Sequence, residues 1–393
     1  MMIIPGVHAQ TIHPYGLQQM VSVADGDISG TPRFIGMAGA MTAVGGDPSA
    51  VLINPAGLGV YRHSQFSISA DGTFRRYMQQ GSTLDYGLYA RWKLSQVSYV
   101  FALTHPERVA GVVSNNIMIS YNKRTDMYQN ITLNDRAGQT ASRGDWIQTN
   151  IDEYLYCHDA NVHYAMNISN CVYWGAGLTL EWMQARQTYN RWEDITEDRR
   201  GQATTYDIQT TSTGRAFGVG GSLGLLVHPI RAIRFGISVE SPVIGKMRQT
   251  DIINEKRGAN NTSEYTDNYS WSMTTPLKAS AGLGLQWKNH GLLSLQYDLH
   301  YHKLSGVAHT ARAGLEVAMS NHWMLELGYG YSTLYARQRV AAGLNYMGRW
   351  LRIGLAYNFS WCNGQVIDPM YYTTQGIYKM RENRIVFSFQ WNT

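Results

Sequence analysis

The stretch Trp350-Leu-Arg-Ile-Gly-Leu-Ala-Tyr-Asn-Phe-Ser-Trp361 decides the fold. Its odd positions are Leu351, Ile353, Leu355, Tyr357, Phe359 and Trp361, and its even positions are Arg352, Gly354, Ala356, Asn358 and Ser360. Successive residues of a strand point to opposite faces, so one face here is apolar and the other small or polar. The same split recurs in Trp323, Leu325, Leu327, Tyr329 and Tyr331 against Met324, Glu326, Gly328 and Gly330. It recurs again in Leu293, Leu295, Tyr297, Leu299 and Tyr301 against Ser294, Gln296, Asp298 and His300. A soluble sandwich also alternates, so periodicity alone does not choose. The amount of apolar face does: nearly every strand carries more aromatic and aliphatic surface than one protein core needs, and no helical segment is available to cover it.

Composition agrees. Of 393 residues only 16% are charged and 12% are aromatic, with 26 Tyr, 11 Trp and 39 Gly, yet mean hydropathy is negative at -0.28. A helical membrane protein needs runs of about 20 apolar residues, and none occurs. Strands that are apolar on alternate residues only account for all of this. The net charge of +5 is spread along the chain without a basic cluster, which excludes a nucleic-acid footprint. The 3 cysteines cannot all pair within one chain, and no C-x-x-C spacing is present. Cys157 and Cys171 fall near opposite ends of the barrel, beyond disulfide reach, and Cys362 has no evident partner. Residues 1–9 end in Val7-His8-Ala9, a small-residue cleavage pattern followed by Gln10. They read as the end of a signal peptide, with the mature chain starting at Gln10.

Short connections fall at Thr104–Ala110, Ser169–Cys171, His228–Ala232, Lys288–Gly291, Ser320–Asn321 and Met347–Arg349, with longer polar ones between. Outer-membrane barrels have short periplasmic turns and longer extracellular loops. Counting on that basis predicts strands near 64–78, 94–104, 110–124, 159–168, 171–190, 205–227, 231–253, 270–287, 291–303, 307–318, 322–333, 338–346, 350–362 and 384–392. The expectation is an all-β, 14-stranded antiparallel transmembrane barrel over residues 63–393, in the bacterial outer membrane with its C-terminus on the periplasmic side. Trp287, Trp323, Trp350 and Trp391 all fall near the periplasmic ends and read as an aromatic girdle.

Residues 10–62 do not alternate. They carry irregular turn signals, Gly45-Gly46-Asp47-Pro48 and Asn54-Pro55-Ala56-Gly57, together with apolar Phe34, Ile35, Met37, Val51, Leu52 and Ile53. About eight strands already make a barrel that side chains alone can fill, so a wall of fourteen needs another occupant. Irregular backbone is tolerated inside a lumen, and this segment is expected to be a plug. In Asn54-Pro55-Ala56, a side chain able to bond backbone locally precedes a residue of fixed φ, which predicts an anchoring turn before the first strand.

The run Gly36-Met-Ala-Gly-Ala-Met-Thr-Ala-Val-Gly-Gly-Asp-Pro-Ser-Ala-Val-Leu-Ile-Asn-Pro-Ala-Gly-Leu58 resembles the N-terminal hatch of the FadL/TodX family of outer-membrane transporters for long-chain fatty acids and other hydrophobic molecules. The run Ala311-Arg-Ala-Gly-Leu-Glu-Val317, followed by Trp323-Met-Leu-Glu-Leu-Gly-Tyr-Gly-Tyr331, looks like that family's late strands. The resemblance implies a fourteen-stranded barrel plugged by the hatch. It also implies passive diffusion of apolar ligands from an outer-loop groove to an internal pocket and out sideways through the wall. In the family the third extracellular loop carries apolar helices. Here the corresponding stretch, 125–158, reads as compact and polar, with Trp146, Ile147, Ile151, Tyr154 and Leu155 as its apolar cluster and candidate ligand groove.

Other motifs fare differently. Gly220-Gly221-Ser222-Leu223-Gly224 fits the G-x-S-x-G of a hydrolase nucleophile, but it lies in an alternating strand rather than a sharp strand-to-helix turn. Glycine in such a strand permits bending or close approach of a plug. The 12 His show no H-E-x-x-H spacing or Cys/His cluster, so no metal and no cofactor is expected. Arg234, Glu240, Lys278, Asp298, His300, Arg312, Glu316, Glu326, Arg339, Arg352 and Arg384 face inward and read as a polar lumen network that holds the plug. Asp298 and His300 are expected to lie opposite Arg312 across a strand pair. The reading is therefore a monomeric, non-enzymatic transporter of hydrophobic, fatty-acid-like small molecules, with outer-membrane lipids and lipopolysaccharide around it. The rival is a structural barrel that binds a secretion or assembly machine, and an outer-membrane enzyme comes third.

Overall fold

The computed structural model describes residues 15–22, 29–79, 85–109, 111–136, 146–195, 204–257, 261–287, 290–333, 336–367 and 374–392. The proposed signal-peptide end, residues 1–9, lies outside them. The strands are β1 (Gln65–Gln79), β2 (Asp85–Val109), β3 (Val112–Arg136), β4 (Trp146–Ile168), β5 (Val172–Ile195) and β6 (Thr204–Ile230). Next come β7, in two segments (Ile233–Glu240 and Ile244–Arg257), and β8, also in two (Asn261–Thr274 and Leu277–Trp287). The remainder are β9 (Gly291–His302), β10 (Gly306–Ala318), β11 (Trp323–Ser332), β12 (Arg337–Met347), β13 (Leu351–Ile367) and β14 (Thr374–Asn392). Each pairs antiparallel with its neighbours, and β1 closes on β14 from Gln65↔Asn392 to Gln79↔Tyr378, so the wall is a closed barrel of 14 strands. Closure leaves no unpaired sheet edge, a condition for spanning a bilayer with strands.

The alternation sets inside and outside as expected. In β13, Leu355 and Tyr357 are 45% and 46% exposed, whereas Ala356, Asn358 and Ser360 are 1%, 2% and 0% exposed. The outer surface carries an apolar belt, including Leu223, Phe235, Ile237, Leu327 and Phe387. Trp287, Trp323, Trp350 and Trp391 are all exposed at the end of the barrel with short turns. Among the described residues no helix is long and apolar enough to cross a membrane. Among the described residues, Cys157, Cys171 and Cys362 form no disulfide.

Two features depart from the sequence reading. First, 125–158 is not a compact loop: β3 runs on to Arg136 and β4 begins at Trp146, in register from Val112↔Ile168 to Arg136↔Trp146. A spanning strand needs about 9–11 residues. β2 and β3 have 25 each and β6 has 27, so this side of the wall continues well past the apolar belt. There the outward positions of β6 are Thr205, Asp207, Gln209 and Thr213, all exposed. The outward apolar stripe that marks a membrane-spanning strand thus ends here, while Tyr206 and Ile208 still point inward.

Second, the strands expected at 231–253 and 270–287 are each interrupted. β6 pairs Ser222 with Glu240 and Val219 with Ile244, so two residues of β6 oppose three of β7: a bulge at Ser241-Pro242-Val243. β8 breaks beside it at Thr275-Pro276, and prolines, lacking N–H, are tolerated at such breaks. The bulge flips the faces of β7. Ser238 points inward before it and Val243 and Met247 after it, all buried. Hydrogen bonds hold the seam: Val243 N–H donates to Thr275 Oγ1 (2.9 Å), Thr275 N–H to Val243 O (3.1 Å), and Gly221 N–H to Ser241 Oγ (2.9 Å).

Inside the barrel lie α1 (Tyr15–Ser22), α2 (Pro32–Gly36), α3 (Pro48–Ile53) and a 3₁₀ turn, Pro55–Val60. Proline opens α2, α3 and the turn, where its fixed φ and missing N–H cost nothing. Thr31, Asp47 and Asn54 cap them by accepting hydrogen bonds from Phe34, from Ser49 and Ala50, and from Ala56 respectively.

Candidate functional site

Residues 30–61 contact the inner wall strand by strand, from β2 round to β14. Ser49 Oγ donates to Gln96 on β2 (2.6 Å), and Asn116 Nδ2 on β3 donates to Leu58 O (2.8 Å). Asn54 Nδ2 donates to Leu225 O on β6 (3.2 Å), and Arg234 on β7 donates to Val44 O (3.2 Å). Thr42 N–H donates to Gln296 Oε1 on β9 (2.9 Å). Arg33 forks onto Glu316 of β10, with Nε–Oε2 at 2.5 Å and Nη2–Oε1 at 3.1 Å. Ala356 of β13 and Val386 of β14 pack with Phe34 and Ile35. Only a segment inside the barrel can reach so much of the wall.

Inward glycines make the fit close. A methyl carbon at Gly175 would lie 2.5 Å from the Pro55 carbonyl carbon, one at Gly314 2.9 Å from Met37 Cβ, and one at Gly354 3.0 Å from Pro32 Cβ. Gly224 and Gly236 are pressed closer still, against Asn54 and Thr42. Any side chain at these positions would push the segment off the wall. The Gly220–Gly224 stretch belongs to this seat: Gly224 meets Asn54, Gly220 meets the bulge residue Val243, and Ser222 stays within β6.

Asn54 is the main junction. Its Oδ1 accepts from Ala56 N–H (3.1 Å), while Nδ2 donates both to Thr42 O (2.8 Å) and to Leu225 O. One buried amide thus fixes the turn at Pro55 and Ala56, ties the two halves of the segment, and binds the wall. Asp47 does similar work within the segment, accepting from the Thr31 hydroxyl at 2.9 and 2.8 Å as well as from Ser49 and Ala50 N–H. Burial pushes its carboxyl above the usual range, against the opposing pull of Arg33 and these donors.

Beyond this segment the lumen divides in two. A cavity of about 110 Å³ has Phe34, Ser49, Leu52 and Ile53 as its floor and charged side chains from β3, β4 and β7–β10 as its wall. Arg124 pairs with Glu240 and lies 3.6 and 3.7 Å from Asp159 and Glu181. Lys278 pairs with Glu240 (3.4 Å), and Arg312 with Asp298 (3.1 Å), beside His300. Among the described residues, Asn122 Oδ1, Asn161 Nδ2 and Ser222 Oγ have no hydrogen-bond partner, and all three residues line the cavity. This compartment has a polar and charged lining.

On the far side of it the lumen turns apolar. Leu155, Cys157, Met183, Ala216, Val243, Met247 and Met273 form a buried cluster, and into it α1 inserts Leu17, Met20 and Val21, one face of a helix. Methionine is unbranched and polarizable, so such a lining adapts to different apolar occupants.

The structure therefore sorts the residues singled out from sequence. Asn54, Pro55 and Ala56 sit together against β5 and β6. Arg234 and Glu316 hold the inner segment, and Glu326 lies against Gly36 while accepting from Asn345 (2.8 Å). Arg352 is also inward, facing Arg33 and Asp47. Glu240, Asp298, His300 and Arg312 line the cavity instead. Arg339 and Arg384 lie elsewhere on the inner wall, where Arg384 approaches Glu382 (3.4 Å). Of the proposed groove, Ile151 and Leu155 are buried on the lumen face of β4, whereas Tyr154 is on the opposite face and stacks on Tyr156 at 4.9 Å. The side chains of Trp146 and Ile147 lie outside what is described. Leu155 apart, the methionine cluster falls outside the residues singled out from sequence, as do Gln96, Gln296 and Asn116 as contacts of the inner segment. Regular alternation on β9 could have flagged Gln296; nothing local marks the others.

No protein-family model matches the chain, and no curated protein matches it. Solved structures do. The Pseudomonas putida toluene transporter TodX superposes with a TM-score of 0.66 at 14% identity, over 93% of this chain and 99% of that one. A Pseudomonas aeruginosa FadL homologue gives 0.65 at 12% identity over 93% and 98%. The Ralstonia pickettii toluene transporter TbuX gives 0.61 at 13% identity over 93% and 99%. At these identities the likeness establishes the fold.

Proposed function

We propose that this chain, whose fold is that of the FadL/TodX outer-membrane transporters, carries hydrophobic small molecules across the bacterial outer membrane without energy input. The observation that carries the reading is the apolar cluster in the lumen, where Met183, Met247 and Met273 gather with Leu155, Ala216 and Val243 around Leu17, Met20 and Val21 of α1. A water-filled porin has no use for such a cluster. The solved relatives are toluene transporters and a FadL homologue, which supports an apolar cargo. The end of the barrel with long connections faces outward, and the short turns and the C-terminus face the periplasm. The N-terminal segment serves as the hatch.

Beside this cluster, the ring of Arg124, Asp159, Glu240, Lys278, Asp298 and Arg312 would be desolvated by a passing apolar molecule, which offers its charges no compensating contact. Exit past the bulged seam of β7 and β8, beside the cluster, fits the chemistry better than passage through that ring. The test is uptake of toluene and of a long-chain fatty acid by cells whose outer membrane offers this barrel as the only route. Met247→Glu should slow uptake of whichever molecule is carried, while Met247→Leu should leave it unchanged and both proteins keep heat-modifiable migration. Uptake indifferent to Met247→Glu would remove the cluster from the route, and uptake of neither molecule would overturn the transport reading.

A further inference from the structure

Outside the barrel, at the height of the methionine cluster, four cations stand together. Arg186 on β5, Arg215 on β6, and Lys246 and Arg248 on β7 are all exposed and face away from the lumen. Arg215 is directly opposite Arg248, and Lys246 is opposite Phe217, one pair further along. Arg186 is opposite Thr213, diagonal to Arg215. Strands are spaced by about 4.8 Å, so the cluster spans roughly 10 Å of wall. Like charges facing each other across a strand pair repel, and among the described residues none of the four has a carboxylate in ion-pair range. Arg248 and Lys246 face Ser270 and Ser272 on their other side, and Arg186 faces Tyr154. Inward cations of the same wall are treated differently: Arg75, Arg124 and Arg312 each contact a carboxylate.

Position says what the missing counter-charge is. Immediately toward the membrane from Arg215 comes Phe217, 57% exposed, and from Lys246 comes Ile244, 65% exposed. The cluster therefore sits where the apolar belt ends, at the level of lipid headgroups. A soluble anion would gain nothing from that location, whereas a phosphorylated lipid can lay its acyl chains on Phe217 and Ile244 and its phosphates on the cations. Guanidinium groups bind phosphate oxygens through forked, charge-assisted hydrogen bonds. We propose that Arg186, Arg215, Lys246 and Arg248 form a binding site for the phosphorylated glucosamine headgroup of lipopolysaccharide, with one phosphate bridging Arg215 and Arg248. The proposal rests on this end of the barrel facing the outer leaflet, and not on what the lumen carries.

The experiment uses the full chain in an uncharged detergent, titrated with diphosphorylated lipid A and with lipid A stripped of its phosphates. The wild-type protein should bind the diphosphorylated form more tightly. Arg215→Gln with Arg248→Gln should weaken that binding on the order of tenfold or more, and Arg215→Lys with Arg248→Lys should recover most of it. The Gln variant removes a repulsive pair, so it should keep its heat-modifiable migration and its uptake of apolar cargo, which separates this test from that of transport. Equal binding by wild type and the Gln variant, equal binding of the two lipids, or displacement of the lipid by millimolar inorganic phosphate would each overturn the proposal.

Discussion

Replacing Asn54 by alanine should unlatch the inner segment without unfolding the wall. Three hydrogen bonds disappear: from Ala56 N–H at 3.1 Å, to Thr42 O at 2.8 Å and to Leu225 O at 3.2 Å. Asn54 is 1% exposed, so water does not replace them in place. At a net contribution of about 1 kcal/mol each the loss is roughly 3 kcal/mol. Every 1.4 kcal/mol is about tenfold in an equilibrium, so the docked-to-undocked ratio should fall on the order of 100-fold. None of the lost bonds pairs one strand with another, so heat-modifiable migration should persist. In planar bilayers the full-length protein should be mostly closed, the Asn54→Ala variant should open about 100-fold more often, and deletion of residues 10–53 should leave a steadily conducting barrel. Equal conductance for the wild type and the deletion would show that the segment does not block the lumen. An Asn54→Ala variant as closed as wild type, beside a conducting deletion, would show that the anchor lies elsewhere in the segment.

Two further outcomes follow from the inside and outside assignment. Leu327→Arg or Leu355→Arg, on positions 44% and 45% exposed to lipid, should cost roughly 2–4 kcal/mol in refolding into bilayers if near the midplane. Ala356→Arg, 1% exposed and packed among Phe34 and Ile35, should spare the wall but displace the inner segment, giving a folded, leaky barrel. For the fork between Arg33 and Glu316, removing one partner of a buried pair typically costs about 3–5 kcal/mol. Arg33→Ala should fall at or below the lower end of that range, because Arg234 and Arg352 also act on Glu316. The double replacement should cost less than the two single ones added together when unfolding midpoints are compared.

The architecture was legible in the sequence because it is a local property. Side-chain direction in a strand repeats every two residues, so Leu351 to Trp361 declare their face without knowledge of any other strand. Counting such segments, with short turns at one end, reached fourteen strands. The segments that escaped, Thr125–Arg136 and Trp146–His158, continue β3 and β4 past the apolar belt, where the outward apolar stripe that marks a membrane-spanning strand has ended. The bulge at Ser241-Pro242-Val243 also escaped. It exists only as a mismatch between β6 and β7, and no single strand records it.

The site is a different matter. That residues 30–61 had apolar side chains to bury, and that Asn54-Pro55-Ala56 would turn, could be read from the segment itself. Which wall groups receive it could not. Arg33 and Glu316 are 283 positions apart, and Thr42 and Gln296 are 254 apart. Glycines at 175, 224, 314 and 354 are indistinguishable in sequence from those that merely bend a strand, until closure brings the segment against them. Sequence alone determined the period of the strands and so the membrane-facing surface. Only closure of the barrel decided which inward residues meet, because the contacts that seat the inner segment, divide the lumen and form the methionine cluster are made between strands whose order in space, not in sequence, sets their partners.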